Sequence, residues 1–233
     1  MSSFVVPAAD RPVVPVSGEQ GVFPVRRIYC VGRNYAEHAR EMGHDPDRDP
    51  PFFFCKPADA VCVGAPGQVL DVPYPPMTQN LHHELEMVVA IGKGGADIAE
   101  DEAMHHVYGY AVGLDLTRRD RQNEAKELRR PWEVSKAFDA SAPIGHITPV
   151  ARAGNMADAA MTLEVNGSVR QTTHINQMIW SMTEVISHLS RYFRLEPGDL
   201  IFTGTPEGVA ATVAGDRLDA RLEGVDGLSI RLV

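Results

Sequence analysis

LHHELEMVVAIG, residues 81–92, sets two histidines and two glutamates at the mouth of an apolar run. The run has the length and composition of a buried strand closed by a glycine turn. A strand has a side-chain period of two, which puts Glu84 and Glu86 on one face with His82 beside them. His83, Leu85 and Met87 face the other way. Adjacent carboxylates repel, and burying them is costly unless a cation sits between them. A third acid, Asp115, lies in the apolar stretch YGYAVGLDLT and needs a partner for the same reason. Three carboxylates with no cysteine and no obligatory imidazole specify a hard divalent cation, Mg²⁺ or Mn²⁺, with Ca²⁺ an alternative. The spacing alone also fits a surface-facing Glu pair and a capping Asp. Zinc through His82 and Glu84 is the weaker metal reading, since HEXXH and paired cysteines are absent.

The rest of the chain reads as strand-rich. Residues 25–32 (VRRIYCVG) form a strand ending at glycine, and residues 33–43 (RNYAEHAREMG) a short helix with Asn34 as N-cap and Gly43 as stop. The proline-bounded HDPDRDPP is a candidate lid. PFFFCKPADAV is a buried strand followed by a turn, and GQVLDVPYPP a short strand and loop. The stretch from DEAMHH to NEAKE begins helical, passes through an apolar strand and ends in a polar segment. The alternating pattern around Asn166-Gly167 is a hairpin signal. MTEVISHLSRYFRLEPGD is an amphipathic helix with Val185, Ile186, Leu189 and Phe193 on one side. LIFTGTPEGV enters a Gly/Pro loop, and two strands close the chain. Few helices among many strands argue α+β with a mixed or antiparallel sheet rather than regular βαβ units.

At 233 residues one domain is the default, and the composition, 44% hydrophobic and 23% charged, is that of a globular protein. A net charge of −9 argues against nucleic-acid binding, which needs a basic face. It leaves room for an anionic small substrate held by a metal and a few arginines. Cys30, Cys55 and Cys62 lack metal-site spacing and are expected to be buried thiols in a reducing compartment. No signal peptide and no membrane span are read, so a cytoplasmic protein is expected.

Five stretches occur in a fixed order: CVGRNYAEHAREM, HHELEMVVAIG, GYAVGLDLTRRDRQ, WEVSKAFDASAPIG and GDLIFTGTPEGV. Together they resemble the fumarylacetoacetate hydrolase family, and within it the single-domain acylpyruvate hydrolases, over roughly residues 25–233. The proline-rich lid and GRNYAEHAREMG look most like the fumarylpyruvate hydrolases of aromatic-acid (gentisate) degradation. The resemblance implies a mixed, largely antiparallel β-sheet roll with a few peripheral helices. It implies a catalytic domain over 25–233, leaving 1–24 as an extension that packs on the surface or on a partner subunit. It implies Glu84, Glu86 and Asp115 as metal ligands, His38 and Glu41 as a catalytic pair, and Lys136 reaching the substrate. Arg119, Gln122 and Thr205 match substrate-contact positions. A homodimer is also implied, and the apolar INQMIWSM (residues 175–182) looks too apolar for an exposed loop.

These roles make physical sense. His38 and Glu41 are three apart on the expected helix and share a face. A carboxylate beside an imidazole fixes its tautomer and stabilises the imidazolium formed on taking a proton, which suits a base acting on water. Lys136 facing the metal could hold an oxyanion, although a lone lysine is ordinarily a solvated charge. Arg33 and Arg118 are candidates for a distal substrate carboxylate. His82, His83, His105 and His106 have no comparable partner and read as structural or surface groups. Asp120 and Glu124 read as helix-surface pairs. Oxaloacetate decarboxylation and oxo-acid isomerisation or tautomerisation are rival activities within the family. A non-catalytic, carboxylate-rich metal-binding module is the rival from another class.

Overall fold

The computed structural model describes residues 4–37, 49–65 and 67–233. Two sheets dominate it. A six-stranded mixed sheet runs Thr148–Pro149, Val107–Leu114, Leu85–Ile91, Asp199–Phe202, Arg27–Gly32, Phe52–Lys56. Its only parallel pair is Asp199–Phe202 with Arg27–Gly32. A five-stranded sheet runs Ser168–His174, Ala160–Val165, Arg217–Leu222, Leu228–Leu232, Val69–Val72, also with one parallel pair.

Alternation explains why Leu85–Ile91 is buried at every position. Leu85, Met87, Val89 and Ile91 pack into one core with Met161, Leu163, Leu218 and Ile230 of the five-stranded sheet. Val88 and Ala90 face a second core built with Ile28, Cys30, Leu200 and Phe202. The central strands are covered on both faces, so they carry apolar residues at both parities. Glu86 shares parity with Val88 and Ala90, and a charge there is anomalous.

The second core is closed by the N-terminal segment. Val13–Pro15 and Val22–Pro24 pair as a hairpin that buries Val14, Val16, Phe23 and Val25. Its three-residue strands are too short to show periodicity in the sequence.

The hairpin at Asn166-Gly167 forms as expected, with both turn residues at positive φ (51° and 78°). The amphipathic helix spans Met182–Tyr192, opened by a capping box between Ser181 and Glu184, and it buries Val185, Ile186 and Leu189. Phe193 departs from the expected stripe. The helix ends before it, its backbone is extended, and it is 38% exposed, though its ring packs on Tyr29 at 5.1 Å. The polar segment after Asp115 is a helix, Arg119–Glu127, with Ala125 as its one buried apolar side chain. The expected start of helix before Val107 is a 3₁₀ turn, Glu100–His106. Within residues 175–182 Ile175 lies in the core and Met178, Ile179, Trp180 and Met182 are half-buried, while Asn176, Gln177 and Ser181 are exposed. All three cysteines are free thiols, but only Cys30 is fully buried; Cys55 points outward from the edge strand. No helix among the described residues is long and apolar enough to cross a membrane.

Candidate active site

Glu84 lies one residue before the Leu85–Ile91 strand, Glu86 within it, and Asp115 just past the neighbouring Val107–Leu114 strand. Pairing of Leu85 with Leu114, and of the Asp115 amide with the Glu84 carbonyl (2.9 Å), brings the three together. All three are buried, and one oxygen from each lies within 4.8 Å of the others. Ligand oxygens about 2.1 Å from one small divalent ion are at most roughly 4.2 Å apart, so a small contraction closes this set on one cation.

Buried cations surround the carboxylates. Lys136, from the short Glu133–Lys136 helix, donates to Glu84 Oε2 (2.7 Å), Asp115 Oδ2 (2.7 Å) and Thr117 Oγ1 (2.6 Å). Burial would lower its pKa, but Asp115 and Glu84 outweigh that and the net direction is upward. Arg119 pairs with the other oxygen of Glu84, bonds Gln122, and donates from Nε to His82 Nδ1 at 3.3 Å. Lys56 Nζ sits 2.8 Å from Asp115 Oδ1 and donates to the Leu116 carbonyl (3.2 Å) and the Lys136 carbonyl. Asp115 Oδ1 thus has a buried ammonium as its ion-pair partner but accepts no hydrogen bond among the described residues.

Glu86 is the least compensated of the three. It accepts the Gly204 amide (2.8 Å) and makes no ion pair among the described residues. Burial first, then the charges of Asp115 and Glu84, push its carboxyl well above the usual carboxylate range. An oxygen-only donor set with one carboxyl, Glu86, that has no ion-pair partner among the described residues fits a hard divalent cation. The sign of the pH effect follows. A carboxyl whose pKa is raised by folding stabilises the fold fully below its unfolded value near 4.5, and that stability is lost as pH rises through the folded value. In metal-free protein the E86Q variant should therefore gain stability relative to the parent as pH rises from about 5, read as the difference in urea midpoints. A pH-independent difference would make Glu86 an ordinary ionised carboxylate.

The amide that reaches Glu86 is held by packing. Gly204 has φ 100°, and a Cβ there would lie 2.7 Å from Asn34 Cβ, so glycine is required. Asn34 is itself buried; its side chain donates to the Trp180 and Thr203 carbonyls (2.9 and 2.8 Å) and accepts from the Trp180 amide (2.8 Å). Gln171, from the five-stranded sheet, accepts from the Leu85 amide (3.0 Å) and donates to Thr205 Oγ1 (2.9 Å), tying the loop to the strand that carries Glu86.

The pocket above the carboxylates is lined by all three acids and by Arg119, Gln122, Lys136 and Thr205, all seven anticipated from the sequence. Arg33 also lines it, whereas Arg118 does not: its guanidinium lies on Phe138 (4.4 Å) and bonds the Val134 carbonyl. His38 and Glu41, and all of the lid but residues 49–51, lie outside the described residues. His82 is closer to the chemistry than expected, since it accepts from Arg119, and its Nε2 is 3.0 Å from Asn80 Oδ1. Burial and then the Arg119 charge lower its pKa to about 4. His83 packs against Gln171 and His106 against the Lys93 carbonyl, both structural. Glu124 makes the expected helix-surface pair with Arg121, while Asp120 instead accepts from Thr78 and the Gln79 amide. Lys56, Thr117, Gln171, Lys126 and Trp132 were not anticipated. A lysine inside the apolar PFFFCKP was the one available signal, because lysine is rarely buried without a partner.

Residues 27–233 match the family model described as fumarylacetoacetate (FAA) hydrolase, C-terminal. A solved structure of fumarylpyruvate hydrolase from Pseudomonas aeruginosa, in complex with Mn²⁺ and pyruvate, is 54% identical, covers 99% of each chain and superposes with a TM-score of 0.97. A fumarylpyruvate hydrolase of Ralstonia sp is 43% identical over 192 residues, 81% of this chain and 97% of the relative. A mitochondrial oxaloacetate tautomerase of Bos taurus is 39% identical over 208 residues, 89% of this chain and 91% of the relative.

Proposed function

The chain belongs to the fumarylacetoacetate hydrolase family, and on that premise we propose that it hydrolyses the C3–C4 bond of an acylpyruvate. It is a divalent-metal-dependent hydrolase, with fumarylpyruvate as substrate and fumarate and pyruvate as products. The observation that carries this is the buried Glu84, Glu86 and Asp115 set opening into a pocket lined by Arg119, Gln122 and Lys136. We take Mg²⁺ as the ion in the cell. The expected setting is aromatic-acid catabolism, and the expected assembly a cytoplasmic homodimer.

Glu84, Glu86 and Asp115 would hold the ion through carboxylate oxygens. When bound, it supplies a template for the 2-oxo acid and stabilisation of enolate charge. Arg119 and Gln122 orient the substrate carboxylate by hydrogen bonds, and Thr205, held by Gln171, closes the same wall. His38, oriented by Glu41, takes a proton from water, and the resulting hydroxide adds to the C4 carbonyl. Lys136 Nζ donates to the tetrahedral oxyanion. All three of its N–H groups are engaged by Glu84, Asp115 and Thr117, so one must be released to the substrate as the carboxylates turn to the cation. The C3–C4 bond then breaks, its electron pair passes to C3 as the pyruvate enolate, and the imidazolium of His38 returns the proton to C3. The acyl half leaves as a carboxylic acid.

The tautomerase relative favours one second reading: proton transfer on oxaloacetate, which needs no activated water. Product analysis separates the two. Fumarylpyruvate should give equimolar fumarate and pyruvate, whereas enol–keto exchange of oxaloacetate with fumarylpyruvate left intact would select the second reading.

A further inference from the structure

The pocket mouth contains a unit that the mechanism above does not use. Phe52 and Trp132 meet edge to face, with centroids 5.4 Å apart and planes at 85°. Each ring carries one cation: the Arg33 guanidinium lies 5.4 Å from the Phe52 centroid, and the Lys126 ammonium 5.5 Å from that of Trp132. All four residues line the pocket of the carboxylate triad. Trp132 also contacts Phe54 (5.8 Å), over which Lys136 Nζ sits at 5.0 Å, so one aromatic layer separates this rim from the reacting end.

The local structure is built to hold Arg33 there. Arg33 has φ 59°, a left-handed conformation that a non-glycine residue adopts at a cost and that clusters at functional sites. Gly32 pairs with Phe52 across the strands, and a Cβ on Gly32 would fall 2.0 Å from the Phe52 ring, so glycine lets that ring lie against the backbone. Neither Arg33 nor Lys126 forms an ion pair with a carboxylate among the described residues; Asp49 acts on Arg33 only through space. Burial first, then the charges of Arg119 and Arg33, hold the pKa of Lys126 down, with Glu84 pulling the other way. Two cations lining one pocket, neither ion-paired to a carboxylate among the described residues, can receive an anion.

We propose that Arg33 and Lys126 form a cationic rim that binds a second, distal carboxylate, so that the pocket selects 2-oxo acids whose far end is also a carboxylate. The inference rests on the proposed function for the end of the substrate held at the triad. It accounts for a net-acidic protein accepting a dianion, and it assigns acyl-group choice to the rim rather than to the residues at the triad.

The test compares two non-hydrolysable ligands, 2-oxohexanedioate and 2-oxohexanoate, by calorimetry on the Mn²⁺-loaded protein. They share the 2-oxo acid and differ in the distal carboxylate. A charge-assisted hydrogen bond to a carboxylate predicts about tenfold or greater preference for the diacid. In the Arg33→Asn, Lys126→Gln double variant the preference should collapse toward one. Asparagine tolerates the left-handed backbone, and the single Lys126→Gln change on the helix surface, expected to lose part of the preference, guards against misfolding. Equal affinities in the parent, or a preference that survives both substitutions, would overturn the rim. A preference that behaves as stated, with no pyruvate released from fumarylpyruvate, would overturn hydrolysis and leave the rim standing.

Discussion

Glu84→Ala should lower kcat/KM for fumarylpyruvate by at least about 10³-fold, because cation stabilisation of developing charge contributes several kcal/mol. It should also abolish Mn²⁺ binding, followed by the electron spin resonance signal of the free ion. The reason lies in the packing. Glu84 accepts from Lys136 and pairs with Arg119 as well as facing the cation position. Truncation leaves two buried cations short of a partner, which costs about 3–5 kcal/mol. Glu84→Gln preserves volume and keeps one acceptor oxygen while removing the charge and the second acceptor, so a Glu84→Gln protein that is still folded separates loss of the ion from loss of the fold. Full activity in either variant, with the ion retained, would remove Glu84 from the metal set.

His38→Ala should cost about 10²–10⁴-fold in hydrolysis, the usual share of a positioned general base. Mn²⁺ affinity should stay nearly unchanged, since the three carboxylates assemble without it. The prediction rests on the sequence: in the helix expected over residues 33–43 the His38 imidazole and Glu41 would share a face, and residues 36 and 37 have helical backbone. Enol–keto exchange of oxaloacetate or its decarboxylation, where present, should survive the substitution better than hydrolysis, because neither consumes an activated water. Loss of Mn²⁺ binding would instead make His38 a ligand, and unimpaired hydrolysis would dismiss it as the base.

The carboxylate set was legible because charge inside a buried strand is an anomaly that the sequence displays directly. Glu86 in ELEMVVAIG and Asp115 in YAVGLDL both stand where an aliphatic residue is the rule. That the two strands are neighbours is a matter of topology, and only the pairing of Leu85 with Leu114 reveals it. The cations were harder to read. Lys136 and Arg119 came from the family resemblance, while Lys56 went unremarked because a lysine before proline at a strand end looks like a solvated terminus. Gln171 was invisible for a related reason: its neighbours Thr172 and Arg170 are ordinary outward residues of a hairpin, and its burial follows from the packing of the two sheets. The Arg119–Glu127 helix lacked an apolar stripe to announce it, since it packs through Arg119 and Gln122 into the site. Its polar buried face reflects function, where local pattern and global fold are expected to disagree.

The most direct measurement is a turnover assay on enzyme dialysed against EDTA, with Mg²⁺ or Mn²⁺ restored, following loss of the enol absorbance of fumarylpyruvate and identifying the products. The account predicts no turnover without a divalent ion and equimolar fumarate and pyruvate with one. Undiminished hydrolysis in EDTA, or metal-dependent loss of carbon dioxide from oxaloacetate with fumarylpyruvate untouched, would contradict it.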